Sequence, residues 1–569
     1  MPDPEDPPIP EDPPIPEAVP PADGVPAADA LPSADPTGQV FVPADDAAPE
    51  NLEDDEPPPS ALRTATVVSA RIVLGFLTLA VLGALVAAAI LVPLPSIAAR
   101  PASRVIVPTA TAQQVVCPGG LLRLGSSSGA NATTASSLGA ASFASGAMSG
   151  SVHASEFATS DAGTGHTPAA PRLLSTPAAP AGSAPAELSG AQSQQVAASD
   201  VAGLAAAACT APSAGTWLVG GATSVGRTTL LLLANPTDVT ATVSIQVFGE
   251  VGQVTAPGMD GIVVDPDSQR VLSIAGFAPN VVSPVVHVTS TGGQVSATLE
   301  QTTVRGLVAG GVDFVGGEAA PKTTTVIPGV VISASSALQA QVGQSGFDDL
   351  QTTLRLFAPG SKSVTASIAM LAEDGTVVGK PTTSRVAGGR VTDLQLDSLS
   401  DGNYTVVVTS KVPLLASVRV STAASGSSGS GGSASGGSGS SSSGSSTATP
   451  GSTVPGATSS TDFAWVTAAP LLRSSALVSV ARDIAPLLHL ENPTSEPETI
   501  QVAGTDGTSQ TVTVAANSAT SVSVLSATTY ELSGFARLYA SVSGTDNGGV
   551  TSYVVSPPTR SDASVRVYG

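Results

Sequence analysis

The sequence has few of the residues from which most active sites are built. Charged side chains make up 12% of its 569 residues and aromatic side chains 3%, and there are four histidines and two cysteines. Neither a C-x-x-C pair nor an H-E-x-x-H motif occurs, which excludes the zinc sites that these motifs build. The composition therefore predicts a protein that is not an enzyme, with no catalytic residue, no metal site and no cofactor.

Positive charge is also scarce. The 22 Lys and Arg face 44 Asp and Glu, for a net charge of -22. Residues 1–71 alone carry sixteen acidic residues and two arginines, so most of the excess lies at the N-terminus. A nucleic-acid-binding face needs clustered Lys and Arg, and we therefore expect no nucleic-acid partner.

The first 60 residues are rich in proline and acid. They contain eighteen prolines and no basic residue, and "EDPPIP" occurs twice in tandem from Glu5 to Pro16. A segment of this composition buries too little apolar surface to offset its chain entropy. We predict a disordered acidic tail over 1–60, with local polyproline II character.

One long apolar run follows, "IVLGFLTLAVLGALVAAAILV", at 72–92. At about 1.5 Å per residue it is long enough to cross a hydrocarbon core of about 30 Å, which predicts a single transmembrane helix; a buried core helix is the alternative. Arginines flank the run on both sides and do not orient it. Both cysteines, Cys117 and Cys209, lie after it, and we expect a disulfide in an oxidising compartment, with two unrelated thiols as the alternative. The N-terminus is then cytoplasmic and the C-terminal region extracytoplasmic.

The next segments are predicted from composition. Residues 93–124 are strand-like and membrane-proximal, and 125–185 form a spacer rich in Ala, Ser and Gly. The stretch Ala186–Cys209 predicts a short helix that precedes the first folded module.

Internal repeats predict the fold class. Three strand-like stretches each end in a proline turn, namely "LLLLANPT" (Leu230–Thr237), "TLRLFAPG" (Thr353–Gly360) and "LLHLENPT" (Leu487–Thr494). The residues that follow the first two alternate between apolar and polar with period two, as in "VTATVSIQV", which is typical of half-buried antiparallel strands. In addition, "DFVGGEAAP" (Asp313–Pro321) matches "DFAWVTAAP" (Asp462–Pro470) at both ends.

These repeats predict an all-β fold of three related β-sandwich modules of immunoglobulin-like type, with a single large barrel as the weaker alternative. The modules are predicted at 186–312, 313–421 and 462–569. The Gly/Ser-rich tract at 422–461 falls within a connection that the first repeat makes with fewer residues, so we interpret it as a flexible insertion.

The stretch "GATSVGRT", Gly221–Thr228, resembles a nucleotide phosphate loop. That loop needs a lysine where Arg227 stands, and it opens a long helix. Here Asn235-Pro236 follows after only about two helical turns. We therefore predict a turn between two strands and no nucleotide ligand.

Isolated aromatic and histidine residues are the remaining candidates. Trp217 and Trp465 stand near the starts of the first and third predicted modules, where they either pack or serve as a ligand platform. His287 and His489 fall within strand patterns, where a lone histidine is usually structural.

The stretches "VVCPGG", "TWLVGG", "LLLLANPT" and "DFVGGEAAP", placed after one apolar segment, resemble an uncharacterised family of actinobacterial single-pass membrane-anchored proteins with a domain of unknown function. The resemblance implies a membrane location and repeated extracytoplasmic β modules. It implies no catalytic residue.

The expected function is a non-enzymatic, membrane-anchored cell-envelope protein. Its β modules would lie outside the membrane for interaction or scaffolding, with an envelope protein or a wall polysaccharide as partner. A carbohydrate-binding or carbohydrate-active envelope protein is the alternative. A receptor that signals through its acidic cytoplasmic tail is the third interpretation.

Overall fold

The computed structural model describes residues 73–84, 103–106, 112–125, 135–159, 170–178, 187–318, 320–344, 346–373, 376–396, 399–423, 461–558 and 565–568. The chain divides into two units, Met1–Ala99 and Arg100–Gly569. In the first unit, residues 73–84 form helix α1, and the tail predicted over 1–60 lies outside the described residues. None of the helices in the described ranges is both long enough and apolar enough to cross a bilayer.

The second unit is built mainly of antiparallel strands, which confirms the all-β prediction. Its N-terminal strands are β1 (Ser103–Ile106), β2 (Gln113–Cys117), β3 (Leu122–Leu124), β4 (Ala135–Ser137), β5 (Ser142–Ala147), β6 (His153–Glu156), β7 (Ala158–Thr159), β8 (Arg172–Thr176), β9 (Leu188–Ala197) and β10 (Ala202–Ala208). They form a β10-β9-β5 sheet, a β2-β8-β6 sheet and a β3-β4 hairpin, while β7 extends a later sheet.

Two predictions for this region are wrong. The predicted helix at 186–209 is the hairpin of β9 and β10. Leu204 and Ala206 of β10 face one hydrophobic core, and Ala205 and Ala207 face another, so the strand is buried on both faces and its sequence is continuously apolar. The described parts of the predicted spacer at 125–185 are also strands, anchored by buried side chains such as Phe157 and Leu174.

The predicted disulfide is confirmed. Cys117, the last residue of β2, is bonded to Cys209, which follows β10. Both cysteines are buried, with Val115 and Leu174 in the same cluster. The bond closes a loop across 92 positions of sequence and joins the β2-β8-β6 sheet to the β10-β9-β5 sheet.

The rest of the unit contains one strand pattern three times. Module 1 consists of β11 (Gly215–Val219), β12 (Arg227–Asn235), β13 (Ala241–Gly249), β14 (Gly252–Val254), β15 (Ile262–Val264), β16 (Ser268–Ser273), β17 (Val285–Gly292), β18 (Ser296–Arg305), β19 (Val308–Val315) and β20 (Gly317–Glu318), with a 3-10 turn at Ile274–Gly276. Module 2 consists of β21 (Lys322–Ile332), α2 (Ser335–Val342), a 3-10 turn at Asp348–Leu350, β22 (Thr353–Phe357), β23 (Val364–Ala372), β24 (Val377–Val386), β25 (Val391–Gln395), β26 (Gly402–Ala423) and β27 (Thr461–Thr467). Module 3 consists of β28 (Leu472–Ser479), β29 (Ala485–Asn492), β30 (Glu498–Gly504), β31 (Ser509–Val514), β32 (Ser518–Ser523), β33 (Thr529–Asp546) and β34 (Gly549–Val554), and β35 (Val565–Tyr568) pairs with β1.

Each module has two antiparallel sheets. In module 2 these run β24-β23-β26-β21 and β25-β22-β26-β27, and in module 3 they run β31-β30-β33-β28 and β32-β29-β33-β34. The long strands β26 and β33 pass from one sheet to the other, and module 1 divides the same path between β17 and β18. Apolar side chains from both sheets share one core in each module.

The module boundaries differ from those expected at 313 and 462, which fall inside β19 and β27. Each of these strands pairs with the strand before it, so each closes a module and does not open the next. Ala423 of β26 pairs with Thr461 of β27, which means that the Gly/Ser tract connects two neighbouring strands of module 2. Residues 424–460 of that tract lie outside the described residues.

The modules meet at a ring of four edge strands, β10, β19, β27 and β34, each of which contacts the next. Asp462 of β27 accepts a hydrogen bond from the backbone N–H of each of the other three strands. The donors are Leu204 (2.9 Å), Val312 (3.1 Å) and Val550 (3.2 Å). These N–H groups lie on free strand edges in the protein interior, where an unpaired donor is costly.

A glycine precedes each of the three donors. A Cβ atom on Gly203, Gly311 or Gly549 would collide with the side chain of Asp462 or its immediate neighbours. Side chains at these three positions are therefore excluded by the close approach of the strands to one carboxylate.

A second buried carboxyl group lies beside the first. Asp313 of β19 accepts hydrogen bonds from the N–H of Trp465 (2.7 Å) and the hydroxyl of Thr551 (3.0 Å), so it links all three modules. Burial raises the pKa of Asp462 to about 7, against the effect of its three N–H donors. Burial, together with the charge of Asp462, raises the pKa of Asp313 well above its usual range.

We expect Asp462→Ala to lower the free energy of unfolding by about 3 kcal/mol or more, because three buried N–H groups lose their acceptor. Asp462→Asn keeps one carbonyl oxygen and should cost less. Chemical denaturation of the full chain measures both, with Asp238→Ala, an exposed aspartate, as the matched control. Equal stability of the Asp462→Ala and Asp238→Ala variants would contradict the central role of Asp462.

Buried acids also predict an unusual pH dependence of stability. Besides that of Asp313, burial raises four carboxyl pKa values, those of Glu300, Glu318 and Glu491 to about 8 and that of Asp462 to about 7. The unfolded chain releases these protons near pH 4, whereas the folded chain retains them until about pH 7 to 8. Below about pH 4 these carboxyl groups therefore make their full contribution to the free energy of unfolding. That contribution is lost as the pH rises toward 8.

We expect the free energy of unfolding to be lower at pH 8 than at pH 5 by about 1.4 kcal/mol or more, the equivalent of one pKa unit of one group. His287 acts in the opposite direction, because burial lowers its pKa, but it is one half-buried group against four acids. Denaturant midpoints measured between pH 5 and pH 8 test this, and a midpoint that rises with pH would contradict it.

Candidate functional site

The stretch that resembles a phosphate loop is a turn between two strands, as predicted. Residues 220–226 join β11 to β12, and Arg227 and Thr228 already belong to β12. The hydroxyl of Thr229 donates to the carbonyl oxygen of Ala222 (2.7 Å) and accepts from its N–H (2.9 Å), which closes the turn. No helix begins at Thr228, so the loop lacks the helix N-terminus that a phosphate loop uses.

This turn forms one wall of a cleft of about 820 Å³ between modules 1 and 2. Module 2 supplies the opposite wall from β22, β25, β26 and β27 and from the segment 333–352, which we call the excursion. The excursion connects β21 to β22 and contains α2 and the 3-10 turn Asp348–Leu350. Modules 1 and 3 make the equivalent connection with residues 220–226 and 480–484 only.

A bidentate ion pair lies on the wall of the cleft. The guanidinium group of Arg355 donates to both carboxylate oxygens of Asp393, at 3.0 Å each. It also donates to the carbonyl oxygens of Gly221 (2.9 Å) and Pro284 (3.1 Å), and it lies 4.7 Å from the ring centre of Trp465. Arg355 thus ties module 2 to the turn of module 1 and covers the indole.

Three more arginines converge on one carboxylate, that of Asp349 in the excursion. The distances are 2.7 Å from Arg305, 3.1 Å from Arg227 and 3.2 Å from Arg419. Arg227 and Arg305 come from β12 and β18 of module 1, and Arg419 comes from β26 of module 2. We call these three arginines and Asp349 the arginine node.

The node holds its carboxylate in the ionised form. Burial acts to raise the pKa of Asp349, but the charges of Arg419, Arg305 and Arg227 outweigh it and hold that pKa below its usual range. Burial and the charges of three neighbouring arginines together lower the pKa of Arg419 to about 10. The negative charge of Asp349 acts to raise it.

The cleft is lined by the guanidinium groups of Arg227, Arg355 and Arg419. Guanidinium groups pair with carboxylates and phosphates through two parallel hydrogen bonds. A glycosidase needs one carboxyl group that stays protonated near neutral pH, and Asp349 is tuned in the opposite direction. Within the described ranges, no group of His, Cys, Asp and Glu is placed to hold a metal ion.

A second polar cluster lies between modules 2 and 3, and sequence reasoning missed it. His489 lies 2.6 Å from the carboxylate of Glu373 through Nδ1 and 2.7 Å from the hydroxyl of Ser543 through Nε2. This is the order of acid, base and hydroxyl found in serine hydrolases. However, His489 is 0% and Ser543 2% exposed, so a substrate cannot reach the hydroxyl.

No local signal pointed to this cluster. Glu373 follows β23 and is buried against a histidine 116 positions away in another module.

The two tryptophans lie at the contact between modules 1 and 2. Trp217 stacks on His287 at 3.8 Å between ring centres and lies 5.7 Å from Phe357 of module 2. Trp465 belongs to β27 of module 2, not to the start of module 3; it is buried, and its Nε1–H donates to Gln301 at 2.7 Å.

The sequence of the chain matches a known protein family. The family described as a family of unknown function, DUF5719, matches residues 158–525. The chain belongs to DUF5719. The expected membership of an uncharacterised family is thereby confirmed, and no curated protein matches the chain.

The DUF5719 match covers the whole cleft but not every feature of the fold. The four arginines, Asp349, Asp393 and both tryptophans fall inside 158–525, as do the central Asp313 and Asp462. Cys117 and Ser543 fall outside it. The cleft is thus a feature of the DUF5719 region itself.

Proposed function

We propose that this DUF5719 protein is a non-enzymatic binding protein of the cell envelope. It is anchored to the membrane by the apolar segment 72–92, with the acidic tail in the cytoplasm and the β modules outside, and it binds an envelope protein or a wall polymer. The cleft between modules 1 and 2 carries this proposal. The disulfide Cys117–Cys209 supports an oxidising compartment, and the two-sheet modules support an immunoglobulin-like classification.

The size and the lining of the cleft favour a ligand over simple packing. Its volume of about 820 Å³ lies within the range of small-ligand sites, about 300–1,000 Å³. Six charged side chains and several amide groups line it. Arg355 pairs with Asp393, Arg227 and Arg419 pair with Asp349, and the sixth charged side chain, Asp348, is exposed. Polar groups of this kind fix the orientation of a ligand.

A carbohydrate-binding role is the second candidate. The amides of Asn280, Gln301 and Gln395 line the cleft and suit sugar hydroxyl groups. Stacking on an aromatic platform has less support, because Arg355 covers Trp465 and His287 covers one face of Trp217. A carbohydrate-active role has less support, since Asp349 is held ionised by three arginines and is therefore unsuited to act as a general acid.

A tryptophan introduced into the cleft should abolish binding. Val282 lines the cleft and is 55% exposed, so Val282→Trp blocks the space at little cost in stability. Val263, also in module 1 and 45% exposed, does not line the cleft and provides the control Val263→Trp. We expect wild type and Val263→Trp to co-sediment with purified envelope polysaccharide, and Val282→Trp to lose at least about 10-fold in affinity. Equal binding by the two variants would contradict a role for the cleft.

The location is tested on wall-stripped cells that carry the full chain with an epitope tag at each end. We expect external protease to remove the C-terminal tag and spare the N-terminal one, because the modules lie outside. Cys117 and Cys209 should react with a thiol reagent only after reduction. A protected C-terminal tag together with freely reactive thiols would place the modules in the cytoplasm and overturn the proposal.

A further inference from the structure

The arginine node holds more positive than negative charge. Arg305 and Arg419 are only 4% and 7% exposed, and Arg227 is 15% exposed. One carboxylate balances one of these three charges, whereas the fourth arginine, Arg355, has its own partner in Asp393. The neighbouring Asp348 is exposed to solvent. Uncompensated buried charge is costly, so the node attracts a further anion.

Space for such an anion lies directly beside the node. Arg227 and Arg419 both line the 820 Å³ cleft, as does Asp349 itself. A negatively charged group that enters the cleft therefore meets two of the three guanidinium groups, and it competes with Asp349 for them. An arginine fork binds a carboxylate and a phosphate with similar geometry.

Apart from the node, the segment that carries Asp349 is held by one small apolar cluster and by a few hydrogen bonds, such as the one between the hydroxyl groups of Ser333 and Thr422 (2.9 Å). Its apolar anchor is a small cluster in which Leu338 and Leu350 pack with Ala423. Helix α2 follows Ala334, which has a left-handed φ of 53° and no side chain that can cap the helix, and the first N–H of the helix, that of Ser335, donates to the carboxylate of Asp401 (3.0 Å).

The arginines also hold the backbone of the excursion. Arg227 donates to the carbonyl oxygen of Gly346 (3.0 Å), and Arg419 donates to that of Asp349. Contacts with the guanidinium groups therefore contribute much of the stability of the excursion against module 1. If another anion replaced Asp349 in these contacts, the excursion would be released from module 1.

We propose that the arginine node is a binding site for the anionic group of an acidic saccharide, and that Asp349 occupies it as an internal substitute until the ligand enters the cleft. The inference rests on the proposed binding role of the cleft. The node recognises a carboxylate or a phosphate, and the amides of Asn280, Gln301 and Gln395 recognise the hydroxyl groups of the sugar. Binding exchanges one anion for another and frees the excursion from module 1.

Removal of the internal carboxylate should strengthen anion binding. The test uses the full-length chain with Trp217→Phe, which leaves Trp465, a lining residue of the cleft, as the single tryptophan reporter. In this background, Asp349→Asn is compared with Asp348→Asn, which removes the charge of another carboxylate that lines the cleft but leaves the node intact. The probes are glucuronate, glucose 6-phosphate and neutral glucose, at constant ionic strength.

We expect Asp349→Asn to bind glucuronate or glucose 6-phosphate at least about 10-fold more tightly than the parent and Asp348→Asn. The gain should disappear when Arg227→Gln is added, and glucose should bind at least about 10-fold more weakly than either anion. Tighter binding of glucuronate would identify a carboxylate ligand, and tighter binding of glucose 6-phosphate a phosphate. N-acetylglutamate that bound as tightly as glucuronate would overturn the saccharide assignment in favour of an acidic peptide.

A second measurement needs no substitution in the node and applies if Asp349→Asn does not fold. Saturating glucuronate or glucose 6-phosphate should increase amide hydrogen exchange across residues 335–350 of the unaltered chain, because the excursion is released. Unchanged exchange, or equal affinities of the parent, Asp348→Asn and Asp349→Asn, would overturn the inference. If these results failed while Val282→Trp still lost envelope binding, the anion site would be refuted and the binding role of the cleft retained.

Discussion

At the centre of the molecule, the carboxylate of Asp462 accepts one backbone N–H from each of three strands that belong to three other sheets. Sheets that end in the interior expose unpaired edges, and proteins must cover or satisfy such edges. Here one side chain satisfies three of them at once. The glycines before each donor let the strands come close enough for this arrangement.

The same centre positions the cleft. Asp313, which lies next to Asp462, accepts a hydrogen bond from the N–H of Trp465 and thereby fixes the strand that carries the indole. Trp465 then donates to Gln301, and Arg355 lies over its ring. The two hydrogen bonds of Trp465 join module 1 to module 2, and Arg355, which lies over the indole, adds its own hydrogen bonds to Gly221 and Pro284 of module 1. The position of the Trp465 wall of the cleft therefore depends on the buried acids, whereas the excursion is held by the arginine node.

Sequence reasoning succeeded where the signal was local. The period-two pattern at Val239–Val247 anticipated the alternating burial of β13, and the cysteine pair anticipated the disulfide. It failed for β10, because an alanine-rich run buried on both faces has no amphipathic period and is also a good helix sequence. The match between the two Asp-Phe segments corresponds to equivalent strands, β19 and β27. The sequence pattern did not show that each of these strands ends its module.

The candidate site was harder to predict, because its parts are distant in sequence. Arg227, Arg305 and Arg419 are not clustered along the chain, and only the pairing of β12 with β18 and the docking of module 2 bring them to Asp349. The stretch that resembled a phosphate loop did point to this region, although for a different reason. Its glycines shape a turn that borders the cleft, and its arginine belongs to the node.

The pairing of Ala423 with Thr461 also bears on how this chain varies in length. Because two hydrogen-bonded strands fix both ends of the Gly/Ser tract next to each other, the tract can gain or lose residues without moving either strand. The entropic cost of such a change grows only with the logarithm of its length. The connection between β26 and β27 is therefore a site at which a folded domain can be inserted without a change in the pairing of the two strands.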